Sequence, residues 1–320
     1  MKGLLATRPY LRPMIWAGNR LGITPSGEER VGEALDVSGL HHMSSFISQA
    51  ADEFRDLAGA YGEWAAHLVG GEEPPDRLPL LVKRIDAGDD LSVQVHPDDA
   101  LASSLEGEPN GKHEAWVILA AEPGARIVLG FKEGVTREEA ERAFREGRPG
   151  ELLRDIPVRA GDVVPVPAGC VHAIGKGIYL FEVQQPSSVT YRLFDPDRPE
   201  AGGPRPLHLS RGFQAMDVDK RPPVRNFDIF QADADPGRRV LCDMPTFRIE
   251  SFRVTESGGP LDVAGGNLAV VQVVSGAATL VRGEERLDLA GLGATALVPA
   301  EGGVWRLESS GASLLLAFHQ

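Results

Sequence analysis

The chain has 320 residues, of which 42% are hydrophobic and 25% are charged, as is typical of a globular protein with a sizeable core. Its formal net charge of -13 argues against a nucleic acid or an anionic membrane as a partner, because both need clustered Lys and Arg. The opening stretch MKGLLATRPYLRP lacks the pattern of a signal peptide, and no run of about 18 apolar residues predicts a membrane span. Two cysteines, Cys170 and Cys242, are too few for a disulfide framework, so a reducing cytoplasm is the expected compartment.

Frequent Gly and Pro divide short runs rich in Val, Leu and Ile, a pattern that predicts a mostly β protein with many turns. Residues 50–69 have apolar side chains at helical spacing, and residues 136–153 predict one or two short helices. In the second stretch, Thr136 is the expected N-cap and Glu139 completes a capping box. Strands are predicted in this part of the chain at 79–86, 91–96, 114–119, 125–130, 162–166, 171–174 and 178–184.

A linker-like stretch at 221–239 precedes a second β-rich part, which repeats a phrase of the first. GDVVPVPAGCVHAI at 161–174 has a counterpart in LGATALVPAEGGVWRL at 292–307, where His172 is matched by Trp305. The recurrence predicts two copies of one jelly-roll or barrel unit, of which only the first is equipped for a metal. The predicted domains are residues 1–225 and 226–320, with strands of the second at 247–254, 268–274, 277–282, 285–289, 294–298, 303–308 and 313–318.

A polar strand face in the segment LSVQVHPDD, residues 91–99, is the first sign of a functional site. Strand side chains alternate, so one face of this strand is expected to pack into a core while the other carries polar groups. The apolar face comprises Leu91, Val93 and Val95, and the polar face comprises Ser92, Gln94 and His96.

Two further segments supply candidate metal ligands. Glu114 lies in GKHEAWVIL, where Lys112 would share its face, and His172 follows a tight turn in PAGCVHAIG. Two imidazoles, a carboxylate and the Gln94 amide form a mixed nitrogen and oxygen set that suits zinc or another divalent first-row ion. A structural role for these two histidines stays open as the alternative. A His before Pro-Asp is often a turn residue, and a lone buried His is often a core residue whose hydrogen bonds are satisfied.

Several motifs in order resemble the type I mannose-6-phosphate isomerases, in their shorter bacterial form, between about residues 10 and 215. The resemblance implies a mostly β fold of two cupin-type jelly-roll barrels with a helical insertion in the N-terminal half. It also implies one zinc ion per chain and the interconversion of mannose 6-phosphate and fructose 6-phosphate. The motifs are IWAGNRLG, GEALDVSG, PLLVKRIDAGDDLSVQVHPDD, GKHEAWVIL, PAGCVHAIGKGIYLFEVQQ and TYRLFDPDR.

The resemblance also assigns site residues. The zinc ligands fall on the set that the polar strand face had already indicated. Substrate-binding positions fall on Lys83, Lys112 and Arg192. The catalytic candidates are Lys112, Arg192 and Glu182. We add Ser92, on the polar face, to the predicted substrate site. The implied zinc ligands are Gln94, His96, Glu114 and His172.

Isomerisation of this kind moves a proton between C1 and C2 through an enediol or enediolate, and it needs a Lewis acid, a base and a clamp for anionic charge. Zinc is the expected Lewis acid and Glu182 a candidate base, in competition with a metal-bound hydroxide. The dianionic sugar phosphate is the expected small-molecule partner, and Lys112 and Arg192 are expected to meet its charge. The sequence leaves the oligomeric state open.

Two departures from the family pattern leave alternatives open. Ser188 occupies the place, four residues before Arg192, where the family usually has an Asp, and His113 replaces the Thr of a Gly-Lys-Thr-Glu motif. A cupin metalloenzyme of another reaction would more often show His-x-His where this chain has Gln94 and His96. A sugar-phosphate-binding protein without catalysis is the second alternative, which Ser188 favours and the full set of predicted ligands disfavours.

Overall fold

The structure is a computed structural model that describes residues 5–50, 53–197, 205–230, 237–253, 267–301, 305–309 and 311–320. The helices found in these ranges are all too short or too polar to cross a lipid bilayer. They are α1 (Leu57–Val69), α2 (Asp99–Glu106), α3 (Arg137–Arg145) and α4 (Leu209–Ala215), with short 3-10 helices at His41–Met43 and Pro149–Glu151.

Strands make up most of the regular structure. The first fourteen are β1 (Leu5–Arg8), β2 (Tyr10–Pro13), β3 (Val31–Val37), β4 (Phe46–Ala50), β5 (Glu53–Asp56), β6 (Leu81–Ala87), β7 (Val93–Val95), β8 (Glu114–Ala121), β9 (Arg126–Phe131), β10 (Leu153–Pro157), β11 (Asp162–Val166), β12 (His172–Ile174), β13 (Ile178–Gln184) and β14 (Tyr191–Phe194). The others are β15 (Arg225–Asn226), β16 (Gly237–Asp243), β17 (Phe247–Arg253), β18 (Ala269–Ser275), β19 (Ala277–Arg282), β20 (Glu285–Ala290), β21 (Thr295–Val298), β22 (Arg306–Ser309) and β23 (Ser313–His319).

The chain divides into two compact units, each built from separate stretches of sequence. Residues 34–84 group with the C-terminal third of the chain, so no single cut along the sequence separates the two units. The prediction that residues 1–225 bind a metal and residues 226–320 do not is a statement about function, and it stays a proposal. The first unit comprises residues 1–10, 34–84 and 227–320, and the second unit comprises residues 11–33 and 85–226.

The second unit is a sandwich of antiparallel strands. One sheet has five strands in the order β10-β9-β12-β7-β14, and β15-β11-β8-β13 are neighbours in another. Apolar residues from both, such as Leu129 and the fully buried Trp116, form one core cluster. On its other face, the five-stranded sheet is covered by α3 and α4, where Phe144 and Phe213 pack against strand residues such as Val95. This arrangement leaves the space between the sheets as the place for inward-facing polar groups.

The first unit is also mostly β. Its larger sheet has eight strands in the order β16-β17-β23-β18-β21-β1-β4-β5, and a smaller sheet has the order β20-β19-β22. Val271 of the larger sheet and Leu280 of the smaller one lie in the same core cluster as Trp305. The mostly β architecture predicted for both parts of the chain is therefore confirmed.

The predicted helices are confirmed with one change of boundary. Thr136 caps α3, and the capping box with Glu139 is present in full. The helix predicted at 50–69 begins only at Leu57, because Glu53–Asp56 pairs with β4 as a strand. Asp56 then starts the helix by accepting a 2.6 Å hydrogen bond from the backbone nitrogen of Gly59.

Two predictions about strand and linker segments need correction. The predicted grouping of Leu91 with Val93 and Val95 is wrong: Leu91 precedes β7 and lies in the inner core, whereas the two valines face the helices. Alternation holds only within the extended strand, which is shorter than predicted. The linker predicted at 221–239 contains β15 and the start of β16, and its residues 231–236 lie outside the described ranges.

Candidate metal centre

Three potential ligands that are distant in sequence converge in the second unit. His96 follows the last residue of β7, Glu114 is the first residue of β8, and His172 is the first residue of β12. One ligand atom from each lies within 4.8 Å of the others. All three side chains are almost completely buried, with 1%, 1% and 0% of their surface exposed. The structure thus brings together three of the four ligands that the sequence predicts.

The carboxylate of Glu114 lies between the two imidazoles. Its Oε2 is 3.4 Å from Nε2 of His96, and its Oε1 is 3.3 Å from Nε2 of His172. Four ligands arranged as a tetrahedron about 2.0–2.1 Å from zinc would lie about 3.3 Å from one another. Nε2 of each imidazole therefore lies at about this separation from one of the two oxygens of Glu114.

Backbone carbonyls fix the orientation of both imidazoles. Nδ1 of His96 lies 2.9 Å from the carbonyl oxygen of Val189, and Nδ1 of His172 lies 2.9 Å from that of Cys170. A carbonyl only accepts, so each Nδ1 donates, and in the neutral ring Nε2 presents its lone pair toward Glu114. Metal-binding histidines are usually held in this way. Acceptor atoms that face each other favour a cation between them, so the donor set fits a metal.

Gln94 lies beside His172. The two residues are direct partners across β7 and β12, and Nε2 of Gln94 lies 3.1 Å from Nε2 of His172. The two ends of an amide have almost the same shape, so a half-turn of the side chain would present its oxygen at this place. Gln94 is therefore placed to complete the predicted ligand set, and its role as a ligand stays a proposal.

Two close approaches of the backbone position these side chains. The backbone nitrogen of Gly169, in the turn before His172, donates to the carbonyl of His96 at 2.8 Å. Gly169 has φ +84°, a conformation that favours glycine. A Cβ at Gly111 would lie 2.6 Å from the backbone nitrogen of Asp99, so only glycine fits immediately before Lys112. Both glycines are part of the motifs that contain the predicted ligands.

Lys112 is buried against the carboxylates of the site. Its Nζ lies 2.5 Å from Oε2 of Glu114, 3.1 Å from Nε2 of His96 and 3.7 Å from Oε1 of Glu182. Lys112, which was predicted to share a face with Glu114, thus lies beside its carboxylate, and Glu182, 2% exposed, lies near both.

Charge and burial set the protonation of these groups. Burial, followed by the charge of Lys112, lowers the pKa of His96 to about 3, so its imidazole is neutral near pH 7. Burial is the largest single influence and acts to raise the pKa of Glu114, but Lys112 and the two neighbouring imidazoles together hold that pKa well below the ordinary range. A neutral imidazole and an ionised carboxylate are the forms that bind a metal.

Arg192 lies on the strand next to the ligand strand. Its Cα pairs with Gln94 across β14 and β7, which places both side chains on the same face of the sheet. Its Nη1 donates to the carbonyl of Pro206 at 2.8 Å. Arg192 is thus beside the candidate metal centre, and its predicted contact with substrate stays a proposal.

The other predicted site residues are less informative. Ser92 is buried, 4% exposed, and lies just before β7. Lys83 is 9% exposed and lies on β6, at a position that belongs to the first unit. Ser188, where the family usually has an Asp, is exposed. The assignments of Ser92 and Lys83 to substrate binding stay predictions.

The sequence did not reveal the groups that hold the ligands. His113 accepts a 3.1 Å hydrogen bond at Nδ1 from the backbone nitrogen of Ala168, and so supports the turn before His172. Gln185 binds the backbone of His113 from the other side. The carbonyls of Val189 and Cys170 leave no signal in a sequence, because every residue has one. The doublet Gln184-Gln185 was visible, but only contacts show what it does.

Comparisons with known proteins agree with the motifs. The chain is 40% identical to mannose-6-phosphate isomerase ManA of Bacillus subtilis over 220 residues, 67% of this chain and 68% of that protein. It is 35% identical to the mannose-6-phosphate isomerase of Streptococcus mutans over 259 residues, 79% of each chain. No protein-family model matches.

Solved structures extend the similarity over the whole chain. The crystal structure of a Bacillus subtilis mannose 6-phosphate isomerase matches 99% of both chains with a TM-score of 0.82 and 25% identity. A zinc-bound mannose 6-phosphate isomerase shares the fold at 15% identity, with a TM-score of 0.78 and full coverage of both chains. The predicted fold, mostly β with cupin-type jelly rolls, is confirmed. This chain belongs to the mannose-6-phosphate isomerase family of enzymes.

Proposed function

We propose that the protein interconverts mannose 6-phosphate and fructose 6-phosphate at one zinc ion held by Gln94, His96, Glu114 and His172. The observation that supports this best is the convergence of two anchored imidazoles on the buried carboxylate of Glu114, at separations of 3.3 and 3.4 Å. Relatives at 35–40% identity bear the name of this enzyme, and a neighbour of the same fold is zinc-bound.

Zinc, when bound, would polarise the sugar carbonyl and stabilise the negative charge that develops on its oxygen. The remaining steps belong to side chains of this protein. Glu182 is our candidate for the base that takes the proton from C2 of the aldose and returns it to C1. Its carboxylate is buried and lies 3.7 Å from the ammonium group of Lys112.

Lys112 and Arg192 supply the positive charge that an acidic protein needs for a dianionic substrate. Lys112 is buried between Glu114 and Glu182, where it can meet the oxygen that becomes anionic during proton transfer. Arg192 lies across the strand from Gln94, and a guanidinium fork suits either an enediolate or a phosphate. Ser92 joins this proposed substrate site, and the assignment of Lys83 to substrate binding rests on the resemblance alone. We expect the cytoplasm as the compartment.

The test is an assay of the purified protein in which fructose 6-phosphate formed from mannose 6-phosphate is coupled to a second enzyme. We expect activity that a chelator removes and added zinc restores, with about one zinc bound per chain. Full activity after removal of all metal would contradict the zinc site. Tight binding of mannose 6-phosphate without turnover would favour the sugar-phosphate-binding alternative, and catalysis only with redox-active iron would favour another cupin reaction.

A further inference from the structure

Gln185, which directly follows β13, bonds to the segment that carries Lys112 and Glu114. Its backbone nitrogen donates to the carbonyl of His113 at 3.1 Å, and its Oε1 accepts from the backbone nitrogen of His113 at 2.8 Å. Its Nε2 donates to Oδ1 of Asp99 at 2.9 Å. Gln185 is 2% exposed, whereas Asp99 is exposed, so these bonds are only partly shielded from water. The backbone and the side chain of one buried residue therefore both bond to the backbone of His113, the residue between Lys112 and Glu114.

The chemistry of its partners fixes the orientation of this amide. The backbone nitrogen of His113 can only donate, and the carboxylate of Asp99 can only accept. The side chain at position 185 must therefore supply an acceptor on one side and a donor on the other. An uncharged amide meets both needs, whereas a carboxylate at the buried position 185 would face Asp99 as a like charge.

Asp99 connects this amide to the segment that follows His96. It lies in the first turn of α2, three residues after His96 in the sequence, and its N-cap is Asp98. The same Oδ1 that accepts from Gln185 also accepts from the backbone nitrogen of Gly111 at 2.7 Å. The backbone nitrogen of Lys112 donates to the carbonyl of Pro97 at 3.0 Å. The segments of two candidate ligands are thus joined through a single carboxylate.

We propose that Gln185 is a positioning residue, and that its amide, paired with the carboxylate of Asp99, sets the placement of Lys112 and Glu114 at the metal centre. The inference rests on the proposed function, because it assigns Gln185 a role at that same site. Gln185 touches neither substrate nor metal in this scheme, and it acts through the backbone of His113. Groups that orient ligands in this indirect way typically change metal affinity by about 10–100-fold when they are removed.

An exchange of the amide and the carboxylate tests the pairing. In Gln185→Glu, the new carboxylate still accepts from His113 but opposes Asp99. In Asp99→Asn, the amide oxygen can take the place of Oδ1 and accept from both Gly111 and Gln185, so this variant keeps both bonds. In the double variant, the amide at position 99 carries no charge, so the carboxylate at position 185 no longer faces a like charge. We expect Gln185→Glu to bind zinc about 10–100-fold more weakly than wild type, Asp99→Asn to stay within about threefold of wild type, and the double variant to bind zinc more tightly than Gln185→Glu alone.

The readout is zinc affinity, measured by competition with a chromophoric chelator at a temperature where circular dichroism shows all metal-free variants to be folded. A second readout is the kinetic split at saturating zinc, where we expect kcat to fall more than KM changes. Gln214→Glu is the matched control, because it makes the same change on an exposed helix position and should leave both readouts unchanged. If Gln185→Glu fails to fold, Gln185→Met removes both side-chain bonds without adding a charge and takes its place.

The outcomes separate the inference from the function on which it depends. Wild-type affinity in Gln185→Glu, or in Gln185→Met where that variant takes its place, would overturn the inference while the metal site stands. A double variant as weak as Gln185→Glu would overturn the pairing with Asp99. Absence of zinc binding by the wild type would overturn the proposed function and, with it, the inference. A weak Gln185→Glu variant whose zinc affinity Asp99→Asn partly restores would support it.

Discussion

Nε2 of His172 lies 3.3 Å from Oε1 of Glu114, and in the neutral ring both atoms are hydrogen-bond acceptors. The proton of the ring is committed to Nδ1, which lies 2.9 Å from the carbonyl oxygen of Cys170. Such a pair, both members almost fully buried, is favourable only with a positive charge close by. Lys112 supplies one such charge on the other oxygen of Glu114, and the proposed zinc ion would supply the second.

The first prediction concerns Glu114→Gln. Glutamine keeps the size of the side chain but removes the negative charge, and its NH₂ group can donate to an imidazole nitrogen. We therefore expect the metal-free fold to persist while zinc affinity falls by more than about 100-fold, since loss of a direct ligand should exceed that of a supporting group. Zinc competition, turnover and circular dichroism measure the three properties.

The control for this change is Glu138→Gln, an exposed position in the first turn of α3. It should leave zinc binding and turnover as they are. Retention of tight zinc binding and full turnover by Glu114→Gln would rule out the proposed ligand set. Unfolding of the variant would show instead that the carboxylate is needed for the structure.

The second prediction concerns Arg192→Lys. One arm of the guanidinium already donates to the carbonyl of Pro206 at 2.8 Å, and a lysine ammonium cannot hold this carbonyl and clamp an anionic oxygen in the same geometry. We expect kcat/KM for mannose 6-phosphate to fall by about 10–100-fold, with zinc affinity unchanged. Arg145→Lys, in an exposed ion pair with Glu141, is the matched control. An unchanged kcat/KM in Arg192→Lys would remove Arg192 from the substrate site.

The third prediction compares two glycines. A methyl group at Gly111 would meet the backbone nitrogen of Asp99 at 2.6 Å, and the backbone has little room to move there. Gly111→Ala should therefore displace Lys112 and Glu114, and turnover should fall at least about tenfold, as expected when catalytic groups move by a fraction of an ångström.

Gly62→Ala is the opposite case. Gly62 lies inside α1, and apart from its chain neighbours and the local helix backbone no atom lies within 4 Å of the position where its Cβ would be. We expect the free energy of unfolding of this variant to be about 0.5–1 kcal/mol higher than that of wild type, because alanine restricts the unfolded chain and favours the helix. Urea unfolding measures the free energy of unfolding of Gly62→Ala and of Gly111→Ala. Equal changes in the two variants would contradict the close backbone approach at Gly111.

The fourth prediction concerns the pH dependence of stability. Burial lowers the pKa of His319, on β23 of the first unit, below its usual value of 6.5. As the pH falls through about 6.5, His319 therefore becomes protonated in the unfolded chain but stays neutral in the folded protein, so the free energy of unfolding decreases. Above that pH both states are neutral and the residue has no effect.

The measurement is urea unfolding at about pH 7.5 and about pH 5.5 for wild type and His319→Gln, which spans the usual histidine pKa. The wild type should lose more stability between the two values than the variant. His41→Gln, at an exposed position, is the control and should follow the wild type. A parallel loss in wild type and His319→Gln would contradict the prediction.

Local patterns in the sequence were sufficient for several features of the fold. The Thr136–Glu139 capping box and the mostly β character both follow from patterns within a few residues. Predictions from local spacing were wrong near the ends of elements. Leu91 lies before the extended strand, so its side chain does not follow the alternation of that strand. Helix α1 begins only after its N-cap, Asp56.

The sequence alone determined which chemical groups are available and in what order: an amide and an imidazole on one strand face, then a carboxylate, then a second imidazole. Tertiary structure decided that they meet. The register that sets His172 and Arg192 beside Gln94 depends on pairing between distant strands, which no local pattern specifies. The orientation of both imidazoles depends on the carbonyls of Val189 and Cys170, and backbone carbonyls are identical in every residue until folding places them.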